Sequence, residues 1–378
     1  MQDLKEIPES VEDRPTRRVA QVGLRDFRNY DSLTVGLASG FNVLSGANAQ
    51  GKTNFLEALY FLSTTRLLRG QRDGEAIREG CQHMHVSAIL SGSETEVALS
   101  LERGSRKKAL LNGLGLPRAA DLIGRLPCVC ISAADMEIVR GEPSERRLFL
   151  DLELSSLFPA YLRHFATYKR ALEQRNALLR DSRERLHPPE SFEVWEDQLA
   201  LHGAAIRETR RSYLAELHPL SQEVHAQMGQ GEVFGVAYVE RDPAASYEAL
   251  LGELAGSRGM DIARGGTSVG PHRDDLEILV DGREARLYGS QGQQRTAVIA
   301  LKMATLVLST SRLGDPPLLL LDDILSDLDA DRRALLVEVV LSKAGQAVLT
   351  CTEASAAGEA ILSQAKLFEV RAGTIKEA

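Results

Sequence analysis

Gly46-Ala47-Asn48-Ala49-Gln50-Gly51-Lys52-Thr53 has the spacing G-x-x-x-x-G-K-[ST] of a phosphate-binding loop. The apolar run Phe41-Asn42-Val43-Leu44 precedes it and predicts a short strand. Residues 52–64 follow it, with Phe55, Leu59 and Leu62 at helical spacing. A strand feeding a helix through such a loop gathers backbone N–H groups and the positive end of a helix dipole around one anion. Glycines let the backbone curl, Lys52 adds a cation for the β- and γ-phosphates, and the Thr53 hydroxyl is the oxygen ligand that Mg²⁺ prefers. The expected nucleotide-binding residues are therefore Gly46, Ala47, Asn48, Ala49, Gln50, Gly51, Lys52 and Thr53, with ATP and Mg²⁺ as cofactors.

Toward the C-terminus, Leu318-Leu319-Leu320-Leu321 predicts a buried parallel strand. It ends in Asp322-Asp323, and two carboxylates make little sense in a core but good sense beside a nucleotide. Asp322 is expected to hold Mg²⁺ through water. Asp323 is expected, with Lys52, to act in catalysis by polarising the attacking water. Between loop and strand, Ser290-Gln291-Gly292-Gln293-Gln294 opens a helix over 295–308, and Ser326-Asp327-Leu328-Asp329 follows the acidic pair. The plain reading of the first is a Ser/Gln helix cap, and of the second an N-cap before a helix near Arg332.

The middle of the chain has another texture. Residues 83–131 alternate like a meander of short strands, with turn signals at Arg103-Gly104-Ser105-Arg106 and Asn112-Gly113. Residues 146–228 carry two amphipathic stripes: Tyr161, Phe165, Tyr168, Leu172, Leu179, and then Trp195, Leu199, Ile206, Tyr213, Leu217, Val224, Met228. His187-Pro188-Pro189 separates them into a helical hairpin, and Pro219 is expected to kink or interrupt the second helix. Residues 231–280 predict mixed strands and loops.

Bulk properties set outer bounds. The 378 residues carry 45 basic and 53 acidic side chains, a formal charge of −8, so net charge gives no support to nucleic-acid binding. Arg66, Arg69 and Arg72, and Arg106, Lys107 and Lys108, form two local basic clusters that suit either phosphates or water. Cys81, Cys128, Cys130 and Cys351 show no metal spacing and predict buried thiols in a reducing cytosol. The first 20 residues have no apolar core, and no run of apolar residues is long enough to predict a membrane span.

Four elements together resemble an ABC-type ATPase: the phosphate loop, the Asp322 strand (Walker B), a signature at Ser290, Gly292 and Gln293, and a D-loop containing Asp327. In that class the signature caps a helix that faces the γ-phosphate held by a partner subunit, so a homodimer that forms on ATP is implied. Three further strings resemble the RecF family: Asp135-Met136-Glu137-Ile138-Val139-Arg140-Gly141-Glu142-Pro143-Ser144-Glu145-Arg146-Arg147-Leu148-Phe149-Leu150-Asp151, Gly270-Pro271-His272-Arg273-Asp274-Asp275, and Leu24-Arg25-Asp26-Phe27-Arg28-Asn29-Tyr30. Gln174-Arg175-Asn176-Ala177-Leu178-Leu179 is also similar, and the resemblance spans about residues 19–352.

The resemblance implies an α/β fold: an ABC-type P-loop ATPase head over 18–126 and 264–378, a mostly α-helical second lobe inserted at 127–263, and a polar tail at 1–17. It implies a weak DNA-dependent ATPase that binds duplex DNA near single-strand gaps, acts with RecR and RecO to help load RecA, and works in the cytoplasm at the nucleoid. The chain departs from the family at Ala133-Ala134-Asp135, where Pro-Glu-Asp is usual and Asp135 would take the Q-loop place, and at Asp327. Thr350-Cys351-Thr352 lacks the switch histidine of transporter ATPases. A transporter ATPase would also have a shorter gap between Lys52 and Asp322. An SMC or Rad50-like protein would carry far longer coiled-coil arms. A DNA clamp that hardly hydrolyses ATP is a further alternative.

Overall fold

The computed structural model of the chain describes residues 17–378 except Gln71, Ser93 and Gln230. The expected tail at 1–17 lies outside the described residues, apart from Arg17. The chain forms β1 (Val19–Phe27), β2 (Tyr30–Gly36) and β3 (Phe41–Ser45), then α1 (Lys52–Thr64), with the bounds its apolar spacing predicts. β4 (His83–Leu90), β5 (Thr95–Glu102), β6 (Lys108–Leu111), β7 (Leu114–Gly115) and β8 (Cys128–Ile131) follow. Next come α2 (Met136–Arg140), α3 (Pro143–Leu157), α4 (Pro159–Asp181), α5 (Glu190–Met228), β9 (Phe234–Val239), α6 (Tyr247–Arg264), β10 (Asp275–Val280), β11 (Arg283–Glu284), α7 (Ala285–Tyr288) and α8 (Gln291–Leu313). The chain closes with β12 (Leu318–Asp322), α9 (Ala330–Lys343), β13 (Ala347–Cys351), α10 (Glu359–Leu362), β14 (Lys366–Arg371) and β15 (Thr374–Glu377).

Two compact units result. One holds the described residues up to Ile131 together with Ser309–Ala378, and the other holds Ser132–Leu308. The second unit thus starts later and ends later than the 127–263 insertion expected from the sequence. The reasons are local. β8 is buried along its length and pairs with β12, which commits it to the first unit. β9 and β10 bury Phe234, Val236, Leu276 and Ile278 in the same core as Leu150, Tyr161 and Leu214 from the helices, which commits 264–308 to the second.

The first unit has two sheets. One runs in the order β15-β14-β3-β13-β12-β8 and is parallel except for the β14–β15 hairpin. Near-continuous apolar strands suit a parallel sheet buried on both faces. The other, β2-β1-β4-β5-β6-β7, is antiparallel. Both pack on α1, and Leu44, Phe55, Leu59, Val86, Leu99, Leu320 and Val348 share one core. The cysteines are free thiols. Cys128, Cys130 and Cys351 are buried as expected, but Cys81 is only half-buried, beside Asp26.

In the second unit the predicted hairpin contains three helices, because Phe158-Pro159 breaks the first stretch into α3 and α4. Tyr161 and Tyr168 pack in the core, as the stripe reading requires. Against expectation, α5 continues through Pro219 without interruption. On both sides of the proline it is pinned to β9: the Val236 N–H donates to His218 Nδ1 just before it, and Gln222 Nε2 donates to Phe234 O beyond it. Burial of Leu217, Val224 and Met228 adds to this hold. The expectation of strands and loops across 231–280 holds for β9 and β10 but misses α6, which supplies 18 helical residues between them. Ser246 caps it by accepting from the Ala249 N–H, and Gly265 ends it at φ 73°. Interior Gly252, Gly256 and Gly259 had weakened its helical signal. Among the described residues only α8 has the length and apolarity of a membrane span, but most of it is buried inside the protein as a core helix.

Three of the four strings that carry the family resemblance supply buried ion pairs in this unit. Arg146 forks onto Asp275 (2.7 and 3.0 Å), and Arg207 forks onto Asp274 (2.7 and 2.8 Å) and Asp242 (2.7 Å). Arg210 reaches Asp151, and Arg175 reaches Asp261 and Glu196. His272 is fixed in one tautomer: Nε2–H donates to Thr267 O, so Nδ1 accepts from the Tyr168 hydroxyl. Burial pushes the His272 imidazole down to about 4.

Because the folded value lies below the unfolded one, His272 contributes stability that is present above about pH 6.5 and is lost as pH falls toward 4. Up to about 3 kcal/mol is at stake. Urea unfolding at pH 7 and pH 5 should show a larger pH loss for the parent than for His272→Asn. An equal loss would mean the imidazole already carries its proton in the folded state.

Candidate nucleotide-binding site

The phosphate loop leaves the end of β3 and enters α1, in the central sheet of the first unit. Gly46 and Gly51 hold φ of 154° and 121°. A Cβ at Gly46 would sit 2.4 Å from Val370 O, and one at Gly51 would press on Asn29 and the Tyr30 hydroxyl, so both positions require glycine. The loop is braced from outside. Asn29 Nδ2 and the Gly373 N–H donate to Gln50 O, the Ala372 N–H donates to Gln50 Oε1, and the Tyr30 hydroxyl donates to Gly51 O. Gln50 Nε2 donates to Asn48 O, and Ala49 takes a left-handed φ of 63°. Lys52 is buried, and its ammonium donates to Gly46 O (2.5 Å) and Ala47 O (3.0 Å), which places the cation inside the curl.

Strand order brings the acidic pair to this loop. β13 lies between β3 and β12, so all three strand ends converge. The Thr53 hydroxyl donates to Asp322 Oδ1 at 2.8 Å. These two groups offer hard oxygen donors at one point, which fits Mg²⁺. Burial pushes the Asp322 carboxyl up, against the hydrogen bonds from Thr350 and Thr53. Asp323 sits at φ 54°, its N–H donates to Thr350 Oγ1 (3.0 Å), and Ser326 Oγ donates to its Oδ1 (2.8 Å).

Thr350 was not singled out by the sequence, yet its hydroxyl serves both acidic residues, donating to Asp322 Oδ1 at 2.8 Å. It stands at the end of β13, where sequence reading saw only a missing histidine. Burial pushes the neighbouring Cys351 thiol up to about 11, which makes it a packing group. The side chain of Asp327 lies outside the described residues. Asp329 caps α9 by accepting from the Arg332 N–H, which is the plain N-cap reading of that segment.

Two arginines border the same loop. Arg28 forks onto buried Glu57 (2.7 and 2.9 Å) and also donates to Arg69 O. Arg69 donates to Asn54 Oδ1, and its charge acts on Asp322. Arg28, Asn29, Asn54, Arg69, Arg72 and Arg103 line an open cleft of about 870 Å³. Lys107, from the second basic cluster, is instead tied to Asp73 and Thr65 O.

The signature lies in the second unit. Ser290 and Gln293 form a reciprocal cap: the Gln293 N–H donates to Ser290 Oγ (3.2 Å), and the Ser290 N–H donates to Gln293 Oε1 (2.8 Å). The cap leaves the Ser290 O–H proton, and Gly292 without a side chain, at the N-terminus of a 23-residue helix.

The chain matches the RecF/RecN/SMC N terminal domain family over residues 18–376. It is 41% identical over 365 residues to the DNA replication and repair protein RecF of Symbiobacterium thermophilum, covering 92% of this chain and 95% of that one. This chain belongs to the RecF family. The RecF of Thermosynechococcus vestitus is 38% identical over 361 residues, 93% of this chain and 95% of that one. Among solved structures, the recombination mediator protein RecF with ATP, of the RecFOR pathway, superposes with a TM-score of 0.88 at 27% identity, covering 97% of this chain and 99% of that chain. An SMC head bound to the C-winged helix domain of ScpA shares the fold at a TM-score of 0.56 and 14% identity, covering 96% of this chain and 97% of that one. The RecF-family chain therefore has the ABC/SMC-type ATPase head fold and is an ATP-binding protein of that class.

Proposed function

We propose that this RecF-family chain is an ATP-switched DNA clamp that acts as a recombination mediator. The observation that supports this reading is the 2.8 Å bond from Thr53 to Asp322 beside a buried Lys52, which brings together, from distant parts of the chain, groups suited to a phosphate and a metal ion. Gly46, Ala47, Asn48, Ala49, Gln50, Gly51 and Lys52 would cradle the phosphates, and Thr53 and Asp322 would hold Mg²⁺. The metal, when bound, neutralises phosphate charge. Asp323 orients and polarises the attacking water. Ser290, Gly292 and Gln293 of one copy meet the nucleotide held by another, with Asp327 beside them, so ATP joins two copies and slow hydrolysis parts them. The paired heads bind duplex DNA near single-strand gaps and, with RecR and RecO, help load RecA in the cytoplasm. The likeness to the ATP-bound RecF structure of the RecFOR pathway supports this part.

Analytical ultracentrifugation tests the switch. With ATP and Mg²⁺ the protein should sediment as a dimer, and with ADP or no nucleotide as a monomer. Ser290→Arg should stay monomeric throughout. A monomer under every condition would sink the sandwich.

A further inference from the structure

The chain crosses from the first unit to the second between Ile131 and Ser132, and it returns within α8. The first crossing leaves β8, the neighbour of the Asp322 strand, and the second follows the signature along its own helix. Inside the second unit these two stretches are tied together. Arg140, the last residue of α2, donates from Nε to Gln294 Oε1 at 2.7 Å, and Gln294 Nε2 donates on to Ala285 O at 2.9 Å. Farther along α8, Lys302 is only 5% exposed. Its ammonium lies 3.2 Å from Glu153 and 3.7 Å from Asp135, and 5.2 Å above the Phe149 ring. Asp135 in turn accepts from the N–H and hydroxyl of Ser132 at 2.7 and 2.9 Å. The first residue beyond β8 is thus joined, through one carboxylate, to a lysine on the signature helix.

Buried ion clusters of this kind add little net stability against apolar residues of the same size, and their best-attested use is to hold one arrangement against others. Here two carboxylates share a buried ammonium, and Asp135 makes the longer contact, so it is the member that yields first when the end of β8 shifts. Arg140–Gln294 grips the same helix within its first turn. Neither contact involves a group assigned to the nucleotide.

We propose that Arg140–Gln294 and Asp135–Lys302–Glu153 form a latch that sets the signature helix according to the position of residues 132–140, which makes Arg140 and Lys302 positioning residues for ATP-dependent pairing of two copies. The latch rests on the sandwich reading above.

Two variants probe it. Arg140→Leu removes an exposed side chain. Lys302→Met is made together with Glu153→Gln, so that no buried carboxylate is left alone. Nucleotide affinity is measured by titration with a fluorescent ATP analogue, and dimer affinity by ultracentrifugation with ATP and Mg²⁺. Both variants should bind nucleotide within about twofold of the parent yet dimerise about tenfold or more weakly, a split expected for lost coupling between sites. Arg140→Lys, which keeps a donor, should recover part of the loss. If the parent dimerises on ATP and both variants match it, the latch falls and the sandwich stands. A parent that never dimerises removes both. Nucleotide affinity that falls in step with dimerisation would reduce these residues to general supports of the fold and overturn the latch.

Discussion

Replacing Arg207 by leucine should cost the second unit about 3–5 kcal/mol, because it strips two buried carboxylates of their partner. Arg207 is fully buried and donates to both oxygens of Asp274, both oxygens of Asp242 and the Ala244 carbonyl. Burial tends to raise the Asp242 carboxyl, but the bonds from Arg207 and the Gly270 N–H hold it below the usual carboxylate range. Without the guanidinium, that carboxylate either stays charged without its main partner or takes up a proton. The one tryptophan of the chain, Trp195, lies in α5 and packs on the core of this unit, so its fluorescence reports the relevant unfolding transition in urea. The triple variant carrying Arg207→Leu, Asp242→Asn and Asp274→Asn should regain part of the loss, since the abandoned charges account for most of it. A single variant that unfolds within about 1 kcal/mol of the parent would show that the network is no stronger than a surface ion pair.

Asp323→Asn should slow ATP turnover by about 10²- to 10⁴-fold, the range for loss of a group that handles a proton in the transition state. Asparagine keeps the size and tolerates the left-handed backbone that Asp323 adopts at φ 54°. It can also still accept from Ser326 Oγ. Thr53, Asp322 and Lys52 are untouched, so nucleotide affinity should change by no more than a few-fold. The ATP-bound dimer should therefore outlast that of the parent. Single-turnover hydrolysis, followed beside ultracentrifugation of the same sample, separates the two effects. Unchanged hydrolysis would take Asp323 out of the chemistry. Lost nucleotide binding would place it among the groups that hold the phosphates.

The candidate nucleotide site was legible because its pattern is local. Residues 46–53 form one loop and the start of α1, whose glycines, lysine and threonine all have to sit at fixed offsets, and Leu318–Asp322 is a strand that declares itself by apolar run and acidic end. The bounds of α1 followed from apolar spacing alone. Other parts depended on partners far away in the chain. Thr350 became a site residue only when β13 was inserted between β3 and β12, which no local pattern around it announces.

α6 stayed hidden because its three interior glycines weaken helix propensity, whereas its stability comes from caps and from Leu250 and Leu254 in the core. α5 runs on through Pro219 because β9 is bonded to the helix on both sides of it. The strings Asp135–Asp151 and Gly270–Asp275 were visible as resemblance, but as sequence they are scattered charges. Folding alone turns them into paired ones, because an arginine in a core needs carboxylates that only a distant segment can bring. Local geometry at a fixed spacing is written in the chain, while burial and long-range pairing exist only once the chain has closed on itself.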